Sequence, residues 1–286
     1  MAGLNNMQLD ISVIAPCFNQ AEYLERCLTA LEQQMLARDR YEIIVIDNNS
    51  TDDSVEIVQR FAEVQLLHES KLGSYAARNT GVRKSRGEIL AFIDPDCVPQ
   101  EDWLERILID MRQPEVQIVL GRRTLGCKTT SLVLFEAYEN QNHLFVFNNP
   151  DPQIYFGHTN NMAVRKSCFD QVGFFEEVMR GGDTIFVHRV LEKSGVRAVI
   201  YDEHLVVQHL EINSIKIQMS KKILYADSFY GLINKKHTCR LLSRRENMHA
   251  FLNTIKAEKL SIRKSIWLWF ILLWGWLYWN WGAWRA

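Results

Sequence analysis

The chain has 286 residues, of which 47% are hydrophobic and 23% charged, with a formal net charge of −1. This is a globular composition rather than a disordered one, long enough for one large domain or one domain with a tail. A net charge so near zero excludes a molecule that binds nucleic acid as a whole by electrostatics. The cysteines, at 17, 27, 97, 127, 168 and 239, form no CxxC pair and no Cys/His cluster of zinc-finger spacing. The opening MAGLNNMQLD lacks the basic and apolar regions of a signal peptide. Reduced cytosolic thiols, acting mostly as small buried hydrophobes, are the expectation.

In chain order, residues 11–15 form a short apolar run that reads as a buried strand. Apolar residues at 24, 27, 28, 31 and 35 give residues 20–36 a helical period. YEIIVI (41–46) is the next strand, and Ser50 or Thr51 is placed to cap a helix with Asp52 and Asp53 in its first turn. A third strand is expected at 64–67, a helix at 74–85 and a fourth strand at 88–93. Strand–helix alternation at this spacing predicts a mostly parallel sheet with helices on both faces, in the order 3-2-1-4.

The carboxyl ends of such strands line the crevice where open α/β sheets bind ligands. PCFN (16–19), DNNSTD (47–52) and DPD (94–96) would then gather on one rim. Pro95 makes continuation of the fourth strand unfavourable. Asp94 and Asp96 repel unless a positive group lies between or beside them, and a hard divalent cation suits such a carboxylate pair. No G-x-G-x-x-G or P-loop pattern follows any strand, which disfavours a dinucleotide or P-loop site.

Beyond about residue 120 the pattern loosens. FGHTNNMAV (156–164) reads as a polar loop entering a strand, 170–180 as a turn region and 183–193 as a helix. Residues 196–200 and 204–207 read as short strands, and 211–261 as mostly helical with basic doublets at 221–222, 235–236 and 244–245. The segment IWLWFILLWGWLYWNWGAW (266–284) holds no charge and seven of the eight tryptophans. As a helix it is roughly 28 Å long, just enough to cross a bilayer core. Tryptophan prefers the interface, so a helix lying in the membrane surface competes with a span. Lys256, Lys259, Arg263 and Lys264 precede it and would keep that end cytoplasmic. Three parts are expected: a catalytic region at 1–210, a basic helical extension at 211–261 and a hydrophobic membrane-anchoring helix at 262–286.

Six blocks together resemble the family 2 glycosyltransferases of the GT-A fold. They are SVIAPCFNQAEYLERCLTALEQQ (12–34), YEIIVIDNNSTDDS (41–54), GSYAARNTGVRKSRGEILAFIDPDC (73–97), NNMAVRKSCFDQVGFFEE (160–177), GGDTIFVHRVLEKSG (181–195) and VVQH (206–209). The resemblance implies roles at matching positions. Pro16 and Asn19 would line the nucleotide pocket, Asp47 would bond the base, and Arg78 would pair with base or diphosphate. Asp94 would touch ribose or metal-bound water, Asp96 would bind Mn²⁺ or Mg²⁺, and His209 would complete the metal shell. Asp183 would be the general base, with Gly182 standing where the family often has a glutamate. Asn160 and Asn161 would shape the donor or acceptor pocket.

The implied reaction is transfer of one sugar, with inversion, from a nucleotide-diphosphate donor, with uracil the base the resemblance implies first and guanine and thymine left open. The acceptor would be a hydroxyl of a lipid-linked or membrane-proximal glycan at the cytoplasmic face of a membrane. The Q-x-x-R-W pattern of the processive members is absent. A transferase acting on polyprenyl phosphate, a sugar-nucleotide pyrophosphorylase and a non-catalytic membrane adaptor are the rivals. The second lacks its early glycine-rich basic loop, and intact Asp94, Asp96 and Asp183 speak against the third.

Overall fold

The computed structural model describes residues 9–229 and 239–285. The basic doublet at 235–236 lies outside them. Strands β1 (Ile11–Cys17), β2 (Tyr41–Asp47), β3 (Val64–His68) and β4 (Ile89–Ile93) pair in parallel, in the expected order β3-β2-β1-β4. β1, β2 and β4 are buried throughout because they are unbroken apolar runs covered on both faces. One face takes Leu24, Cys27, Leu28 and Leu31 of α1 (Ala21–Glu32). The other takes Tyr75, Ala77 and Val82 of α3 (Ser74–Lys84). Gly81 permits this close approach, since a Cβ there would lie 2.6 Å from Ile14 Cγ2. Helix α2 (Ser54–Gln59) begins later than expected, with Asp53 at its N-cap. Ser50 and Thr51 do not cap it but bond across to Asn19.

The chain continues through β5 (Cys97–Pro99), α4 (Trp103–Asp110), β6 (Ile118–Leu125) and α5 (Thr130–Phe147). Then come β7 (Asn161–Arg165), α6 (Ser167–Val172), α7 (Gly182–Ser194), β8 (Val199–His209) and α8 (Ile215–Ser228). These strands extend the sheet to β3-β2-β1-β4-β7-β6-β8-β5. It is therefore mixed: β7 is antiparallel to β4 and β6, β5 is antiparallel to β8, and β6 and β8 are parallel. Pro95 does end β4, but strand pairing resumes two residues later in β5. The two short strands expected between 196 and 207 are one strand, β8, whose pairing with β6 shifts register after Gly121.

The C-terminal helices α9 (Arg244–Ala257) and α10 (Ile262–Arg285) follow. A third core joins them to the body, with Leu268 and Ile271 of α10 packed among Leu132, Phe135, Ile212 and Met219. Among the described residues no helix is long and apolar enough to cross a membrane. This corrects the spanning version of the anchor. Tryptophan has an amphipathic ring that lowers the helix's apolar character, and one side of α10 is already committed to protein.

Candidate active site

The crevice opens where β1 and β4 part. Their pairing ends at Ile14–Phe92, while β1 runs on beside β2 as far as Cys17–Asp47. Pro16, which has no N–H, thus sits on the stretch that no longer pairs with β4. Beyond β1 the loops are zipped together by side chains. Asn19 adopts a left-handed φ of 51°, and its Oδ1 accepts from Thr51 N at 2.7 Å. Asn48 holds the far wall through Glu69 O, Lys71 O and Gly73 N. Asp47 is buried; its carboxylate accepts from Ser50 N at 3.1 Å and lies 3.2 Å from His68 Nδ1. His68, at the end of β3, is a neighbour that sequence reasoning missed.

At the end of β4, Asp94-Pro95-Asp96-Cys97 makes a tight turn, with Cys97 N donating to Asp94 O at 2.9 Å and proline at the second position it favours. The turn sends the two carboxylates in different directions. Arg78 Nη2 meets Asp94 Oδ1 at 2.5 Å. This buried arginine, expected on the ligand, is therefore the positive group beside one member of the pair. Its Nε is buried and has no hydrogen-bond partner.

Asp96 turns inward. Burial, and then the nearby Asp94, push its carboxyl up to about 7. His209, at the end of β8, sits beside β5 with Nδ1 3.4 Å from Asp96 Oδ2. Burial, and then Arg123 and Lys221, push its imidazole down to about 3. A buried neutral Nδ1 without a hydrogen-bond partner next to a buried carboxylate fits a divalent cation. The Cys97 thiol lies 3.6 Å from Asp96 Oδ1, and the three ligand atoms fall within 4.8 Å of one another. Cys97 was legible only as a small hydrophobe.

Asp183 opens α7 after Gly181, whose left-handed φ of 85° starts the helix. Its carboxylate accepts from Thr184 N at 2.8 Å and from Thr159 N at 3.3 Å, and the nearby Tyr75 hydroxyl also favours its charged form. Burial nevertheless raises its pKa, against these hydrogen bonds and the charge of Arg78. Two glycines make the arrangement fit. A Cβ on Gly157 would lie 2.6 Å from the Asp183 carbonyl, and one on Gly182 would lie 2.6 Å from Glu176 O and 3.0 Å from the Tyr75 ring. Tyr75 and Thr159 carried no sequence signal, because their roles come from tertiary contacts alone.

The two asparagines part company. Asn160 keeps a buried Oδ1 without a hydrogen-bond partner. Asn161 is fully buried and leaves the pocket: it donates to Arg122 O and Leu205 O and accepts from Trp103 Nε1. It ties β7 to β6, β8 and α4, which corrects its expected place at the donor or acceptor. His158 lies in the same loop, with Nε2 3.0 Å from Gly121 O and a buried Nδ1 without a partner.

The family model for glycosyl transferase family 2 matches residues 12–173, more than half the chain. The chain belongs to this family. It is 33% identical over 190 residues to the glycosyltransferase AglE of Haloferax volcanii, covering 64% of this chain and 61% of that protein. A pre-mycofactocin glycosyltransferase of Mycobacterium tuberculosis is 27% identical over 226 residues, covering 77% of this chain and 46% of that protein. The chain thus spans less than two thirds of either relative. Among solved structures, the Pyrobaculum calidifontis mannosyltransferase PcManGT, in complex with GDP-Man and Mn²⁺, aligns with a TM-score of 0.63 at 18% identity over 97% of this chain and 84% of that one. S. aureus TarS 1-349 in complex with UDP-GlcNAc aligns at 0.52, 15% identical, over 92% and 80%. At these identities the structural likeness carries the GT-A fold and no more.

Proposed function

We propose that this family 2 protein is an inverting glycosyltransferase. It moves one sugar from a nucleotide-diphosphate donor, UDP-linked as the first candidate, to a hydroxyl of a lipid-linked or membrane-proximal glycan. Asp183 takes the proton of the acceptor hydroxyl as its oxygen attacks the anomeric carbon. The bond from that carbon to the diphosphate breaks on the opposite side, and its electron pair leaves with the nucleotide. A raised carboxylate pKa brings Asp183 toward the range useful for a general base. Arg78 lies where its charge favours both the Asp183 carboxylate and the departing diphosphate. Asp96 and His209 would hold Mn²⁺ or Mg²⁺, a cation that supplies charge stabilisation to the leaving group, while Asp94, expected to share it, is ion-paired with Arg78.

The observation that carries this reading is the shared rim of Asp94, Asp96, Arg78 and Asp183, with a buried imidazole nitrogen left unbonded beside Asp96. Asn160 and His158 supply unpartnered acceptor atoms in the loop over Asp183, suited to sugar hydroxyls. The protein works at the cytoplasmic face of a membrane, held there by α10. Thermal unfolding of the full chain with UDP, GDP, dTDP and CMP, each with and without Mn²⁺, tests the donor site. A ligand at about 100 times its Kd stabilises by about 2.7 kcal/mol. Stabilisation by one diphosphate only with metal is expected, and none by any nucleotide would favour an adaptor. A product whose anomeric proton couplings show a retained configuration would sink the mechanism.

A further inference from the structure

Helix α10 lies against the body along its length. Leu268, Ile271, Gly275 and Gly282 are its buried positions, and at 3.6 residues per turn they fall on one side. The glycines set the distance. A Cβ on Gly282 would lie 2.5 Å from the Ile223 carbonyl oxygen and 3.0 Å from Ala226 Cβ, and one on Gly275 would lie 3.1 Å from Met219 Sδ. Two glycines seven residues apart therefore bring α10 close to the backbone of α8. Near its start, Trp267 Nε1 donates to Ser131 Oγ at 3.0 Å, pinning α10 to α5.

The opposite side of the helix is apolar and open. Ile266, Phe270, Leu273, Trp276, Leu277 and Trp284 are between 36% and 84% exposed. No charged residue occurs from 265 to 284. Asn280 is the polar exception on this side, and its amide donates to Trp276 O at 2.7 Å, so the helix itself satisfies one of its donor hydrogens. An apolar stripe of this length is rarely left in water.

Charge indicates what covers it. Lys256, Lys259, Arg263 and Lys264 are all exposed on the approach to the stripe, and no acidic residue follows Glu258. Exposed lysine and arginine next to a tryptophan-rich face complement anionic headgroups over an acyl boundary. A helix that gives one side to protein along its length has only the other for lipid, so it lies in the plane of the interface.

We propose that α10 is an in-plane docking helix that seats the enzyme on an anionic bilayer through this face. The glycines hold it flat, and the basic approach rests on headgroups. The purpose of such docking rests on the membrane-proximal acceptor proposed above, but the binding can be measured without sugar chemistry, so either idea can fail alone.

The test is flotation of the full chain with phosphatidylcholine vesicles, with and without phosphatidylglycerol. Flotation that needs the anionic lipid and weakens with salt is expected. Replacing Phe270 and Leu277 together by serine lowers vesicle affinity at least about tenfold, since both lose the transfer of an apolar side chain out of water. Both are exposed, so the variant keeps its melting temperature. Lipids brominated at a shallow acyl position quench the tryptophans more than lipids brominated near the chain end. Stronger quenching from the bilayer centre would mean a span and overturn the proposal. So would absence of flotation combined with a dimer, seen by light scattering, that the double variant dissociates.

Discussion

Tyr75 and Asp183 face each other across the crevice, from the first turn of α3 to the first turn of α7, and the Tyr75 hydroxyl favours the charged form of Asp183. Tyr75 is buried, its own ionisation is driven well up by burial and then by Asp183, and it therefore stays a donor. Its ring fills the space a side chain on residue 182 would need. The absence of an acid at 182 is thus part of a packing arrangement around the base.

Tyr75→Phe removes a hydroxyl that favours the Asp183 carboxylate, so the pKa of Asp183 rises further. The acid limb of the kcat/KM profile moves to higher pH. Activity on the acid side of the profile falls about threefold or more, with a smaller loss at high pH. A uniform loss at all pH values would make Tyr75 merely structural.

Gly182→Ala tests the same arrangement from the other side. The new Cβ meets the Glu176 carbonyl at 2.6 Å, and a main-chain atom yields less easily than the end of a flexible side chain. Destabilisation of about 1–3 kcal/mol is expected from overpacking, read as a lower urea midpoint. Activity falls with it because the start of α7 is displaced.

β1, β2 and β4 were legible because each is a mostly apolar run ending in polar residues on a common rim, and a parallel sheet buries both faces of its inner strands, whereas β3 lies at the edge and is only partly covered. Arg78, Asp94, Asp96 and His209 were legible as residues, though not the ion pair of Arg78 with Asp94. β6 was hidden by Gly121, Arg122 and Arg123, and α5 by charged and polar groups buried inside it. Glu136, Asn140 and His143 all face the interior. Asn161 was misread because a satisfied core asparagine and a ligand-binding one look alike in sequence.

That interior is held by charge. Arg123 Nε and Nη2 meet the Glu139 carboxylate at 2.8 and 2.6 Å, fixing α5 to β6. Although burial opposes it, Arg123 holds the carboxyl down at about 2. Arg123→Met leaves a buried unpaired carboxylate and costs about 3–5 kcal/mol in urea unfolding. Adding Glu139→Leu recovers most of it, since a pair of apolar groups replaces a pair of charges. No recovery would mean the pair is needed for more than its own charge balance.

Acid sensitivity follows from the same layer. His143 and His158 stack with ring centroids 5.4 Å apart, and burial above all pushes them down to about 3 and about 4 from 6.5. A depressed histidine contributes stability that is present above the unfolded pKa and lost as pH falls, because the unfolded chain takes the proton first. Stability therefore declines below about pH 6.5, toward pH 4 and 3, by on the order of several kcal/mol in all. His143→Gln flattens that decline, though His209, pushed down to about 3, keeps part of it. An unchanged slope in the variant would place the acid sensitivity elsewhere.

Asp183→Asn separates the two transferase readings. Asparagine keeps an oxygen for Thr184 N, now bonded to Oδ1, and turns its amide toward Thr159 N, now bonded to Oδ2, at the cost of that longer bond, and it takes no proton from an acceptor. With a hydroxyl acceptor, kcat falls about 10²- to 10⁴-fold, while stabilisation by nucleotide and Mn²⁺ persists. A phosphate acceptor arrives already ionised and needs no base, so the same variant would then lose little. Single-turnover transfer, measured beside the nucleotide-induced melting shift, distinguishes the two. A large loss in transfer with an intact shift establishes Asp183 as the base, and a small loss assigns the acceptor to the phosphates.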